Sequence, residues 1–218
     1  MRFRIDLKIF LFLILFYFTK QIETYVMIII FALIHELGHL VAGLIMGMKP
    51  EKMEIKPYGV SISFKLTTKD YNKKILKGNM LEIKKIIVAL AGPFTNFIII
   101  LIAKNIEFGL FSDLMIIYSN LVLILFNLLP IYPLDGGRII QEVLHIFYGK
   151  RKAEKFTNCF SLIILLIVTF ISSIAIYYME NIAIFIIVIF LWGLYIKQDI
   201  IYKRRNKIYD LIEKNYWN

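Results

Sequence analysis

The stretch IIIFALIHELGHLVAGLI, residues 28–45, sets two histidines and a glutamate inside an otherwise unbroken apolar run. On an α-helix, positions i and i+4 lie on one face, one turn apart. His35 and His39 can therefore grip one zinc ion from the same side. Glu36, beside the first ligand, is placed to take a proton from a water that the metal activates. Ionisable groups in a membrane span are costly and default to a functional reading. The bland alternative is a polar cluster that holds helices together.

The rest of the chain has the same apolar character. Of its 218 residues 59% are hydrophobic, and the mean hydropathy is +0.71, more than a soluble globular domain needs. Several stretches approach or exceed the roughly 20 apolar residues that cross a bilayer. The expected fold is an all-α polytopic membrane protein, a single integral-membrane domain over residues 1–218. The net charge of +10 could suggest nucleic acid. Lys and Arg instead lie between the apolar spans, where cytoplasmic loops meet anionic lipid. Anionic lipid at the basic loops is the expected contact, and no nucleic acid. The single Cys159 excludes an intramolecular disulfide and reads as a small core residue at the start of an apolar run.

Working outward from the motif, about six spans are expected. The first covers Met1 to Thr19, with Arg2 and Arg4 ahead of the apolar run Ile9–Phe18. No small-residue cleavage site follows, so it reads as a retained helix. The second, Thr24 to Met48, carries the motif, and its Gly43 and Gly47 form a Gly-x-x-x-Gly pair suited to close helix packing. Residues 53–66 then alternate apolar and polar side chains around Pro57-Tyr58-Gly59, which predicts a short membrane-associated β-hairpin. Such a hairpin offers an edge for an extended peptide, while an amphipathic surface loop fits the pattern equally.

The third span, Ile83 to Ala103, contains Gly92-Pro93-Phe94-Thr95-Asn96. Pro93 should kink the helix, and Asn96 should face other helices. The fourth, Leu114 to Leu129, runs into Asn127-Leu128-Leu129-Pro130-Ile131-Tyr132-Pro133-Leu134-Asp135-Gly136-Gly137. The prolines stop the helix, and Gly136 and Gly137 permit a sharp turn, so this reads as a rigid mount for one carboxylate. A plain Asp-Gly turn is the bland alternative. Ile139–Tyr148 is expected as a short helix. Two further spans fall within residues 156–203, followed by a basic surface tail, 204–218.

Basic residues concentrate at 49–82, at 138–155 and in the C-terminal tail, which places both termini and both basic loops in the cytoplasm. A catalytic zinc usually takes three protein ligands and leaves one position open. The helix supplies two. Asp135 and His145, the last histidine, are the candidates for the third, and Asp135 has the better mount and depth.

At this point the residues resemble the site-2 protease family of intramembrane zinc metalloproteases. The resemblance rests on His35-Glu36-x-x-His39, Gly92-Pro93-x-x-Asn96, and Asn127-x-x-Pro130-x-x-Pro133-Leu134-Asp135-Gly136-Gly137, in that order, over a catalytic core of about residues 20–150. The compact layout is similar to the branch of that family that contains sporulation proteases. The resemblance implies one Zn2+ on His35, His39 and Asp135, with Glu36 as general base. It implies that Asn127, Pro130 and Pro133 position the substrate, and that Gly92, Pro93, Asn96, Gly136 and Gly137 give structural support. It also implies hydrolysis of a membrane-associated protein substrate within or beside its membrane segment, under a regulatory membrane protein, in the cell membrane or a membrane around the forespore. A nucleotide-sensing CBS domain or an inserted PDZ domain is not expected. The competing reading is a membrane metal transporter or channel with a buried His/Asp site.

Overall fold

A computed structural model of the protein describes residues 2–5, 22–56, 59–65, 79–105, 112–179 and 182–216. The chain divides into two compact units, Met1–Leu128 and Leu129–Asn218.

The first unit contains β1 (Arg2–Ile5), α1 (Ile22–Ile45), β2 (Lys49–Lys56), β3 (Gly59–Lys65), α2 (Met80–Ala103) and α3 (Asp113–Asn127). Helix α1 holds no proline and ends in a left-handed cap. Gly47 has φ 73°, the Gly47 N–H donates to Leu44 O at 2.9 Å, and the Met48 N–H donates to Gly43 O at 2.8 Å. Those two bonds satisfy carbonyls that the helix leaves open. From α2, Lys84 Nζ reaches the Met46 carbonyl at 2.7 Å. The core joins Met27, Phe31 and Ala32 of α1 to Ala103 of α2 and to Ile116 and Leu123 of α3. Where α1 meets α2, a Cβ on Gly38 would lie 2.9 Å from the Ala91 carbonyl and would also collide with Thr95, so only glycine allows this approach.

The Gly-x-x-x-Gly pair does not pack helices. Gly43 lies under the Phe64 ring of β3, where a Cβ would collide with the ring, and Gly47 is the cap residue. One glycine seats a strand and the other ends a helix, a distinction that spacing alone cannot make. Helix α2 runs through Pro93 without interruption to Ala103. The sheet has the order β1-β2-β3, with β1 parallel and β3 antiparallel to β2.

Two expectations for this unit change. Arg2–Ile5 is a strand, with Ile5 opposite Ile55, rather than the start of a first helix. The order Arg-Phe-Arg-Ile alternates with period two, the strand period, although it also looks like a charged flank. The apolar run Ile9–Phe18 lies outside the described residues. Helix α3 has 15 residues, about 22 Å, and is shorter than the roughly 30 Å hydrocarbon core. Among the described residues, four helices are long and apolar enough to cross a membrane, lying within α1, α2 and the two long helices of the second unit.

The second unit contains α4 (Asp135–Tyr148), α5 (Lys150–Met179) and α6 (Ile182–Tyr216). Gly149, with φ 76°, separates α4 from α5. The polar contacts between α5 and α6 fix an antiparallel register. Arg151 pairs with Asp210 and Glu213, Glu154 with Arg205, Asn158 with Asp199, and Thr169 with Trp192. The expected surface tail 204–218 is therefore corrected. As far as Tyr216 it continues α6, because its charged residues meet partners on α5. Gly136 and Gly137 are also corrected: they lie in the first turn of α4, not in a sharp turn. Cys159 is exposed rather than in the core. Large apolar residues such as Phe94 (61%), Leu125 (62%) and Phe170 (68%) are exposed as well, as lipid-facing helices require and water-facing ones do not tolerate. The chain is a multi-pass membrane protein.

Candidate metal centre

His35 and His39 are one turn apart on α1, both buried, with their Nε2 atoms 3.1 Å apart. That is close to the about 3.3 Å separating two nitrogens bound at about 2.0 Å to one tetrahedral ion. His39 Nδ1 lies 2.6 Å from the Val88 carbonyl of α2. A carbonyl only accepts, so in the neutral ring Nδ1 carries the proton and Nε2 keeps its lone pair for a metal. A carbonyl behind the distal ring nitrogen is the usual support of a metal-ligating histidine.

The facing helix leaves room for the ion. Gly92 of α2 lies opposite both rings, and a Cβ there would sit 2.5 Å from His35 Nε2 and 2.5 Å from His39 Nε2. Any side chain at this position would fill the space beside the two Nε2 atoms. Two buried imidazoles, a carbonyl fixing one tautomer and a cleared volume between them fit a zinc ion better than a packed pair of histidines. Glu36 is half-buried on the same helix, next to His35.

Other residues of the motifs divide between the units. In the first, Asn96 is 0% exposed, and neither its Nδ2 nor its Oδ1 has a hydrogen-bond partner. Pro93 is buried beside it in the sequence of α2. Asn127 closes α3, and its Nδ2 donates to the Leu123 carbonyl at 3.0 Å. That leaves its second amide proton available.

In the second unit, Pro130 and Pro133 belong to the segment that leads into α4. Leu134 is extended, with φ −63° and ψ 162°, and Asp135 is the first helical residue and is buried. The positive end of the helix favours a carboxylate there. Arg138, one turn on, places Nη1 3.7 Å from Asp135 Oδ1. Gly137 lets the incoming segment lie against this turn, since a Cβ would fall 2.5 Å from the Ile131 carbonyl carbon and 2.6 Å from Tyr132 Cα. The need for glycine here is close approach rather than an unusual φ. His145 lies ten residues along α4 from Asp135, about 15 Å, with Nδ1 3.6 Å from Glu142 Oε2. His145 and Asp135 therefore cannot serve one ion together.

Two contributors escaped the sequence reading. Val88 acts through its backbone carbonyl, for which side-chain chemistry gives no signal. Arg138 directly follows the quoted motif, and its i, i+3 spacing from Asp135 was the available clue.

Comparisons with known proteins agree with this chemistry. Residues 104–171 match Peptidase family M50. Zinc metalloprotease MJ0392 of Methanocaldococcus jannaschii is 30% identical over 139 residues, covering 60% of this chain and 37% of that protein. Stage IV sporulation protein FB of Bacillus subtilis is 23% identical over 159 residues, covering 67% of this chain and 50% of that protein. The chain thus spans between about a third and a half of the length of these curated relatives. The solved structure of a site-2 protease from Methanocaldococcus jannaschii superposes with a TM-score of 0.64 at 22% identity, covering 90% of this chain and 89% of that one. The transporter reading is not favoured, because the matches are to peptidases.

Proposed function

We propose that the chain is a zinc metalloprotease of the site-2 protease family and acts as an intramembrane endopeptidase, a reading supported by the match of residues 104–171 to Peptidase family M50 and by the likeness to a zinc metalloprotease. It hydrolyses peptide bonds within or beside the membrane segments of protein substrates. The observation that carries this reading is the pair of imidazole Nε2 atoms 3.1 Å apart, with Gly92 clearing the space beside them, on an apolar helix.

His35 and His39 hold the metal, and Asp135 is the third ligand. Support for Asp135 comes from its burial, its place at the helix N-terminus and its Arg138 neighbour. A zinc ion held by these residues would supply the polarisation of a carbonyl and the activation of a water, whose pKa it would lower towards about 7. Glu36 takes the proton of the attacking water and passes it to the leaving amine. Asn127 offers its free amide proton to the developing oxyanion. Val88 keeps His39 in the tautomer that the site needs. A substrate helix must unwind first, since its carbonyls are already hydrogen-bonded. Helix-breaking residues near the cut therefore favour cleavage.

The finer reading adds a six-span layout with the basic loops cytoplasmic, a membrane-associated hairpin at β2 and β3 that holds substrate in extended form, and a regulatory membrane partner. Processing of a sporulation sigma-factor precursor is the most specific version, supported by the likeness to stage IV sporulation protein FB.

The test compares protein N-termini in cells making the wild-type chain and the Glu36→Gln chain, under sporulating and vegetative conditions. New ends inside or beside membrane segments, present only with the wild type, are the expected result. A sigma-factor precursor among them would establish the sporulation version. Glu36→Gln should keep zinc and lose cleavage, whereas His39→Ala should lose both. Normal processing by Glu36→Gln would show that the base is wrongly assigned.

A further inference from the structure

The segment Pro130–Leu134 delivers Asp135 to the start of α4, and its backbone donors can be followed one by one. Pro130 and Pro133 have no N–H. The Ile131 N–H donates to Leu129 O at 2.7 Å, and the Leu134 N–H donates to Ile131 O at 2.9 Å. The Tyr132 N–H is the remaining donor. It leaves the segment and donates to Ser161 Oγ of α5 at 3.0 Å. A buried N–H rarely goes unpaired, so this bond is costly to lose.

Ser161 is 1% exposed. It interrupts the apolar run Phe160-Ser161-Leu162-Ile163, where an aliphatic residue would pack as well. Ile131 and Leu134 of the segment are buried, whereas Tyr132 is only partly so, and the bond ties the segment down at this less buried residue. Tyr132 borders a small, partly open cavity together with Glu154, Thr157, Asn158, Tyr202 and Arg205, where buried Glu154 Oε2 and Thr157 Oγ1 have no hydrogen-bond partner. The segment is thus held by close contact with the first turn of α4 at Gly137, by the burial of Ile131 and Leu134, and by one hydrogen bond to α5.

We propose that Ser161 is a positioning residue for Asp135. It sets where the carboxylate-bearing turn begins by holding Tyr132 through the backbone. This rests on the reading of Asp135 as a metal ligand. Ser161 lies outside all three motifs and touches no reacting atom.

The test uses the full chain in detergent or nanodiscs, as wild type, Ser161→Ala, Ser161→Thr and Ser173→Ala. Ser173 lies on the same helix, is exposed and bonds only its own helix in the Ser173 Oγ to Phe170 O contact, so it controls for loss of a hydroxyl. The two readouts are the rate of zinc loss to a chelator and backbone deuterium uptake across residues 129–136. Ser161→Ala should lose zinc about tenfold faster and take up deuterium faster in that segment alone. Ser161→Thr, which keeps the hydroxyl, should restore both, and Ser173→Ala should match the wild type. Unchanged zinc loss and uptake in Ser161→Ala would overturn the proposal. So would faster uptake along the whole of α5, which marks a general packing defect. A wild-type chain that holds no zinc overturns the ligand reading, and the inference with it. That failure is recognisable because the local uptake difference persists.

Discussion

The two units treat polar groups in apolar helices in opposite ways. Along α5 and α6 of the second unit, Arg151, Glu154, Asn158 and Thr169 each have a polar partner on the facing helix. In the first unit the buried amides of α2 and α3 keep unspent hydrogen-bonding capacity: Asn96 is bonded at neither amide atom, and Asn120 has a bare carbonyl oxygen. On α1 the imidazole Nε2 atoms of His35 and His39 meet beside Gly92. Both arrangements are expensive in lipid. In the second unit pairs across α5 and α6 offset much of the cost and set the register of the two helices, although Glu154 Oε2, Thr157 Oγ1 and Arg205 Nε stay unbonded. In the first unit the Asn96 amide is left unbonded at both atoms, and two imidazoles meet where Gly92 withholds a side chain. Polarity in a spanning helix is thus informative through its partners more than through its presence.

The largest expected effect comes from filling the volume that the first unit leaves open. Gly92→Ala puts a methyl 2.5 Å from both ligand nitrogens, and the two imidazole ends can make room for it only by turning away from the metal position. Zinc retention should fall about 10- to 100-fold, and cleavage should fall with it. Helix propensity runs the other way, favouring alanine by about 1 kcal/mol. The thermal midpoint of the metal-free protein should therefore stay the same or rise, which separates this result from misfolding. Metal content by elemental analysis, measured beside thermal unfolding, decides it. If Gly92→Ala holds zinc as firmly as the wild type, the cleared volume is a packing detail and the contrast between the units loses its functional half.

How much was legible in the sequence follows the same division. The i, i+4 histidines were legible because helical spacing alone puts them on one face, and the spans of α1, α2, α5 and α6 because apolar runs of that length have few other uses. Gly92 was visible only as part of a pattern. Nothing in the sequence says that its missing Cβ faces two imidazoles, because that depends on how α1 crosses α2 at Gly38. Gly43 and Gly47 show the limit of spacing rules, since one pattern served a strand contact and a helix cap. The α6 tail was misread because a basic, amphipathic run looks the same whether its charges meet lipid or Asp210, Glu213 and Glu154. Asp-Gly-Gly was misread for a related reason. The dipeptide marks turns when the chain is considered locally, whereas here a neighbouring backbone segment, Ile131–Tyr132, requires the glycine.

The second unit provides the next test. Glu154→Leu leaves the Arg205 guanidinium, 3.0 Å from the lost carboxylate, without its partner. Glu154 is almost fully buried and Arg205 is about a third exposed, which reduces the penalty from the about 3–5 kcal/mol of a wholly buried pair to about 1–3 kcal/mol. The double variant Glu154→Leu/Arg205→Met should recover most of that loss, because two apolar residues pack where the pair was. Zinc retention should change less than twofold in either. Thermal unfolding of the single and double variants, taken as a cycle with Arg205→Met, measures the coupling. Additive losses would mean that the pair does not set the register of α5 and α6. A large loss of zinc would mean that the second unit is not the purely structural region this contrast makes it.

The smallest expected effect sharpens the contrast inside the first unit, where not every unpaired group need serve a ligand. Asn120 is 0% exposed, and its Nδ2 donates to the Ile116 carbonyl of its own helix at 2.9 Å, while its Oδ1 has no partner. The Ile116 carbonyl is already an intrahelical acceptor, so it does not depend on the side chain. Asn120→Leu keeps the branching and the number of side-chain heavy atoms and removes a buried acceptor. The expected gain is about 1 kcal/mol, read as a modest rise in the thermal midpoint. Zinc retention should be unchanged and cleavage should stay within about threefold of the wild type, since the amide is already folded back on α3. A tenfold loss of cleavage with zinc intact would instead place Asn120 among the groups that meet the substrate. The first unit would then extend its working surface about two further turns along α3, from Asn127 towards the middle of the helix.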